Sequence, residues 1–344
     1  MVDKQNLKNK LTPKYNKEYE GFCYQNCMRE ILDYYQCENY DFYINMSLST
    51  LMVTKENRYF LCYDNNAHGI IPSKANKIYR KDDKRNCECV FSDNMRKINE
   101  GYPVIACVDG FYLKYFSYYK VKHCRHYLII TGEKDNGDVT VLDWYPPHFY
   151  CGEIERKVFF VARESDNPDD GNIYSGFPIK NNWAWIEREG WEQSREELIY
   201  ENLDISLKQY FPNNNDKQNV VGGVMAFRKI KDELEKIILI EQKIRGKNLR
   251  YMYNELYQTV KRKYLFCYFL RLINNEMKGD DLVGKAIVYV QKLINEWEKF
   301  MTVLLKYSFR GKEADIYKLL DMLLSLIDVE EGLYDYVFCL KIKL

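Results

Sequence analysis

All 8 prolines of this 344-residue chain fall at or before Pro212. Proline removes a backbone donor and clashes with the preceding turn. A long stretch without it, patterned at helical spacing, leaves helix as the readiest structure for the C-terminal part. The spacing predicts helices over about 220–243, 248–275, 280–308 and 312–329. In the third, Leu282, Ala286, Val290, Leu293, Trp297, Phe300 and Leu304 recur at steps of three and four, the period of one buried face. A stripe of this kind describes packing, and no catalytic constellation accompanies it. Two basic clusters, residues 243–250 and Lys261-Arg262-Lys263, read as solvated faces or as a surface for an acidic partner.

The part before Pro212 is punctuated differently. Short, continuously apolar runs at 104–108, 126–132 and 139–143 suit buried strands, and 158–162 reads as one more. Helices are expected over 24–35 and over 92–99, the latter with Ser92 as cap. Asn136-Gly137 is a strong hairpin signal, and a turn there sets His126 opposite about residue 147. Residues 77–84 read as an exposed loop, and 40–63 fit either strand or helix. Residues 164–216 look irregular and polar around Trp183, Trp185 and Trp191, with a linker at 213–216. The reading is an α+β domain over residues 1–165, a connecting segment over 166–217, and a helical domain over 218–344.

Charge excludes some classes. With 51 Lys and Arg against 50 Asp and Glu, no global field draws the chain to nucleic acid or membrane. Residues 4–17 are a locally basic arm. No apolar run reaches membrane length and no signal peptide is visible, so a cytoplasmic protein is expected. The 11 cysteines are odd in number and scattered, which is no disulfide framework. Cys87-Glu88-Cys89 is too tight for a zinc knuckle, and no metal is expected.

The chemistry centres on Cys23. Gly21 ends an extended approach, and Met28, Ile31, Leu32 and Tyr35 then recur at helical spacing. Cys23 therefore stands where a helix begins, beside unpaired amides and the positive end of the helix dipole. Cys27 is the rival nucleophile, one turn further in. His126 opens one strand and Asp143 closes the next, near the same open end of the hairpin. A cysteine on a helix start, a histidine on a strand and an acid on the neighbouring strand is the logic of cysteine nucleophilic catalysis, in the order papain-like folds use. His68, His123 and His148 are the other histidines, with His123 the main competitor.

The segment from Cys23 to Tyr35 resembles the nucleophile helix of the butirosin-biosynthesis acyltransferase-like family, that of the BtrH N-terminal domain. The likeness continues at residues 101–105, 108–115 and 126–132 and ends at Val141-Leu142-Asp143. The resemblance implies a papain-like cysteine-protease fold, a nucleophile helix packed on an antiparallel sheet, followed by an α-helical region. It also implies an ATP-independent acyltransferase of natural-product biosynthesis. Cys23 would accept an acyl group from a carrier-protein thioester, His126 would activate Cys23 and then the acceptor amine, and Asp143 would hold His126. Implied partners are an acyl or peptidyl carrier protein and a small amine. No cofactor is bound; the phosphopantetheine arm arrives with the carrier. No glutamine stands five or six residues before Cys23, where Glu18 and Lys17 lie, so the Cys23 amide is the first oxyanion donor to consider, with Gln25 and Asn26 behind it. Asp109 fits either an acceptor-amine site or a turn cap, and Tyr112 lies in an aromatic stretch suited to lining a pocket. Two alternatives stay open: a cysteine hydrolase, peptidase or thioesterase, and a catalytically inactive binding protein.

Overall fold

In the computed structural model the described residues are 11, 16–48, 51–54, 59–61, 78–145, 148–170, 174–210, 220–277 and 280–343. They fall into two compact units, one of Met1–Asn45 with Asn65–Ser194 and one of Met46–Asp64 with Arg195–Leu344. The chain starts in the first unit with α1 (Cys23–Tyr34) and the single turn α2 (Tyr40–Tyr43). It supplies β1 (Leu51–Thr54) and β2 (Tyr59–Leu61) to the second unit, then returns with β3 (Ile78–Lys81), α3 (Cys87–Asn99), β4 (Val104–Asp109), β5 (Arg125–Glu133), β6 (Val139–Tyr145), β7 (His148–Ile154), α4 (Arg156–Glu164) and β8 (Trp183–Ile186). The rest belongs to the second unit: α5 (Arg195–Tyr210), β9 (Val220–Gly222), α6 (Gly223–Ile238), α7 (Gln242–Glu276), α8 (Asp281–Arg310) and α9 (Glu313–Lys343). The segment expected to connect two domains, 166–217, is thus shared: its first part lies in the first unit and its later part in the second. The proposed linker at 213–216 lies outside the described residues, as does most of the basic arm.

The first unit is a mixed helix and antiparallel-sheet structure. Its six strands run in the order β3-β8-β4-β5-β6-β7, each antiparallel to its neighbours. Every residue of β4 is buried, which is why the strand reads as one apolar run instead of alternating. Helix α1 buries Cys27, Met28, Ile31 and Leu32 completely. The polar segment after α4 is ordered by its own polar side chains. Asn167, fully buried, donates to the carbonyls of Tyr174 and Phe177. Arg163, also fully buried, donates to Asn94 Oδ1 and to the carbonyl of Asn181.

Several expectations change here. The run Val158–Ala162 is helical, inside α4, because an apolar run this short carries no period of its own. Phe159 and Ala162 turn inward there while Val161 stays exposed. Helix α3 begins at Cys87, capped by Asn86 accepting from the Cys89 amide; Ser92 is inside it and exposed. Part of the loop at 77–84 is strand β3, and the tryptophans Trp183 and Trp185 lie on β8, paired with β3 and β4. Strand β7 and helix α5 were not expected at all.

In the second unit the predicted helices form with altered ends, and α9 runs on to Lys343. Of the apolar stripe on α8, all but Leu282 is buried, with Trp297 at the centre. Gly246 on α7 lets that helix approach α8, since a Cβ there would stand 2.5 Å from the Ser308 carbonyl oxygen. The cluster Lys261-Arg262-Lys263 is not a surface for a partner. Arg262 and Lys263 are each 1 % exposed. Lys263 Nζ lies 2.7 Å from Glu330 Oε1, and the Trp297 indole donates to Glu330 Oε2 at 3.0 Å.

This buried pair generates a prediction. Glu330→Ala strands an ammonium in the core and costs about 3–5 kcal/mol. Replacing both partners with apolar residues, Lys263→Met with Glu330→Leu, recovers part of that loss, the Trp297 indole being left without its acceptor. Urea unfolding of the two variants and the parent compares them; equal losses would refute the pairing.

Candidate active site

Cys23 is the first residue of α1. The preceding Phe22 offers no side-chain cap, and no acidic residue sits in the first turn. The first amide bonded back is that of Asn26, which donates to the Phe22 carbonyl at 2.9 Å. The amides of Cys23, Tyr24 and Gln25 therefore lack helical partners, as the first turn of any helix requires. Positive φ at Gly21 (88°) turns the chain into this helix. Cys23 itself is half-buried. Cys27, one turn on, is fully buried; its thiol points at the Tyr127 carbonyl and burial pushes its pKa well up, so it is a neutral packed residue.

His126 and Asp143 meet because of one irregularity. Near the turn, β5 and β6 pair Glu133 with Val139 and Gly132 with Thr140. Between Ile130 and Gly132 the register shifts by one, so that Ile130 faces Val141 and Ile129 faces Leu142. Extended, that register sets His126 opposite Tyr145, not residue 147, and Asp143 on the same sheet face as His126. Without the shift Asp143 would face the other side, because side chains alternate with a period of two.

The resulting contact is tight. His126 Nε2 lies 2.6 Å from Asp143 Oδ1, with His126 5 % and Asp143 0 % exposed. Tyr115 donates its hydroxyl to Asp143 Oδ2 at 2.7 Å, and its ring is stacked on Tyr150 at 3.8 Å. Phe116 covers the imidazole at 4.7 Å. Nε2 faces Asp143, and Cys23 lies close enough for its charge to act on the imidazole. Burial alone pulls the imidazole pKa down. The charges of Asp143 and Cys23 and the hydrogen bond to Asp143 outweigh it and hold His126 well above its ordinary value.

A second histidine–aspartate pair stands apart from this one. His123 Nδ1 is 2.7 Å from Asp109 Oδ2, and its ring is stacked on Phe111. Asp109 is fully buried and also accepts from the amides of Phe111 and Cys124 and from the Ser165 hydroxyl. Of the two roles open to Asp109, the geometry supports the turn cap, since its oxygens are already filled. Tyr112 packs edge-on to Phe111 beside that pair. Gln25 and Asn26 are buried on α1, and Asn26 Oδ1 faces Arg29 Nε at 3.4 Å. His68 lies outside the described residues. Tyr115 was not singled out from the sequence; its signals were the density of aromatics over 111–119 and its place at the end of the family-like segment 108–115. Among the described residues no group of three or more His, Cys, Asp and Glu is placed to hold a metal, and no helix is long and apolar enough to cross a membrane.

The fold and the site thus define a mixed helix–sheet protein in which a buried His126–Asp143 pair lies close to Cys23 at a helix start. Residues 89–144 match the family model described as butirosin biosynthesis protein H, N-terminal, which supports a family like that of this protein. The matched segment includes Tyr115, His126 and Asp143 but not Cys23. No curated protein matches the chain.

Two outcomes follow from the His126 environment. Because the folded-state pKa is raised, the stability this group contributes is fully present below about pH 6.5 and is lost as pH rises through the folded value. The gap in unfolding free energy between the parent and Asp143→Asn, measured by urea titration from pH 5.5 upward, should therefore narrow toward alkaline pH. Tyr115→Phe removes a hydrogen bond to a buried carboxylate and should lower stability by about 1.5–3 kcal/mol in the same assay.

Proposed function

We propose that this protein is an amide-forming acyltransferase that moves an acyl group from a carrier-protein thioester through Cys23 to an amine. The observation that carries the proposal is the buried His126–Asp143 contact, with Cys23 close to the imidazole at the uncapped start of α1. The family match supports a biosynthetic setting of the kind its description names.

In this reading the Cys23 sulfur attacks the thioester carbonyl, and the negative oxygen formed is met by the Cys23 amide. The carrier's phosphopantetheine thiol leaves and takes a proton from His126. An amine then attacks the new thioester on Cys23, His126 receives the amine's proton, and Cys23 is released. One thioester is consumed and one amide formed, so no nucleotide is needed. Asp143 keeps the ring oriented, and Tyr115 keeps Asp143 in place. This is papain-like chemistry, with acid, base and nucleophile in the same chain order. All ten described cysteines are free, which suits the cytoplasm as the place of action.

Incubation with an acylated carrier protein should leave the acyl mass on the peptide containing Cys23. Cys23→Ala should lower turnover by about four orders of magnitude or more. With an amine present the product should be the amide; free acid alone, at any amine concentration, would replace transfer by hydrolysis.

A further inference from the structure

Beside the start of α1, two guanidinium groups converge on one phenol. Arg125 donates to the Tyr127 hydroxyl at 2.9 Å and Arg80 at 3.5 Å. The strand register places them together: Arg80 pairs with Ala184, Ala184 with Ile105, and Ile105 with Ile129, so Arg80 shares a sheet face with Tyr127 and Arg125. Like charges brought this close repel unless something negative lies between them. Among the described residues neither arginine forms an ion pair.

Three further observations mark the place as built for an occupant. Tyr24, 7 % exposed, packs its ring 4.8 Å from Tyr127 and beneath Arg80, yet its hydroxyl has no partner among the described residues. The Nε of Arg125 is likewise buried and unpartnered there. Arg80 is exposed while Arg125 is half-buried, so the pair opens to solvent at one end. The cluster also adjoins the candidate nucleophile. Tyr24 follows Cys23 in the chain, and Cys107, paired with Tyr127, feels the charges of both Arg125 and Cys23.

We infer that Arg80 and Arg125, with the Tyr24 and Tyr127 hydroxyls, form a subsite for an oxyanion carried by the acyl donor. The inference rests on the acyl-transfer reading for the identity of the donor. Guanidinium suits the role because its planar fork matches phosphate and carboxylate alike. Two groups on such a donor have that chemistry: the phosphate of the pantetheine arm and a carboxylate on the acyl chain.

Calorimetric titration of the intact protein separates them. One pair of probes is 4′-phosphopantetheine and pantetheine; the other is an acyl-pantetheine ending in a carboxylate and its methyl ester. In one of the pairs the anionic member should bind about tenfold or more tightly, as a lost charge-assisted hydrogen bond implies. Arg80→Ala, at an exposed position, should abolish that preference, and Arg125→Gln should do the same. Equal affinities within both pairs, or a preference that survives Arg80→Ala, would overturn the subsite. Acyl mass on Cys23, read in the same samples, tests the transferase reading separately. Preference without acylation sinks that reading and leaves the subsite, whereas acylation without preference does the reverse.

Discussion

Asp143 is fully buried and accepts hydrogen bonds on both carboxylate oxygens, from His126 and from Tyr115. A buried carboxylate left alone is costly, and pairing with a cationic partner is what makes its burial tolerable. The arrangement of the first unit around this group follows from that need. The register shift in β5 turns Asp143 toward His126, the aromatic stretch before β5 brings Tyr115 to its other oxygen, and Phe116 seals the imidazole from water. Cys23 stands near the ring at the start of α1. Each contact of Asp143 raises the cost of moving the other, so His126, Asp143 and Tyr115 are held as a set.

Much of this was legible in the residues, and the parts that were not have definite physical causes. Cys23 at a helix start, His126 on one strand and Asp143 on the next could all be placed, because apolar periodicity and an Asn-Gly turn report local structure directly. The register shift could not be read, since nothing in Ile130-Thr131-Gly132 announces which residue is extra. Yet that single residue decides the face on which Asp143 lies. Val158–Ala162 was misread because five apolar residues fit a buried strand and a buried helix equally well. Strand β8 was hidden by its two tryptophans, which sit among polar residues and find their partners on strands far away in sequence.

The second unit teaches the converse. Its helices follow from periodicity and the absence of proline, so their existence was plain. The identity of their interior was less so. Lys261-Arg262-Lys263 has the composition of a surface, yet two of the three point inward, where Lys263 meets Glu330 from α9 and Trp297 from α8. A charged residue in a helix is assigned to the surface by default, and only a tertiary partner of opposite sign overrides that. Glu330 lies far along the chain, so the override is invisible to any local reading.

The two histidine–aspartate pairs of the first unit show that geometry, not residue type, separates a candidate reactive site from a turn-capping one. Asp109 is saturated: two backbone amides, a serine hydroxyl and His123 occupy its oxygens, and the pair locks the turn between β4 and β5. Its histidine stacks on Phe111. Asp143 takes both its bonds from side chains, and its histidine lies near half-buried Cys23 at the uncapped start of a helix. The first acid spends its bonding capacity on the backbone and so can only hold the fold. The second holds an imidazole whose pKa is raised by its charge, with Cys23 close by, and that pairing is what the acyl-transfer proposal draws on.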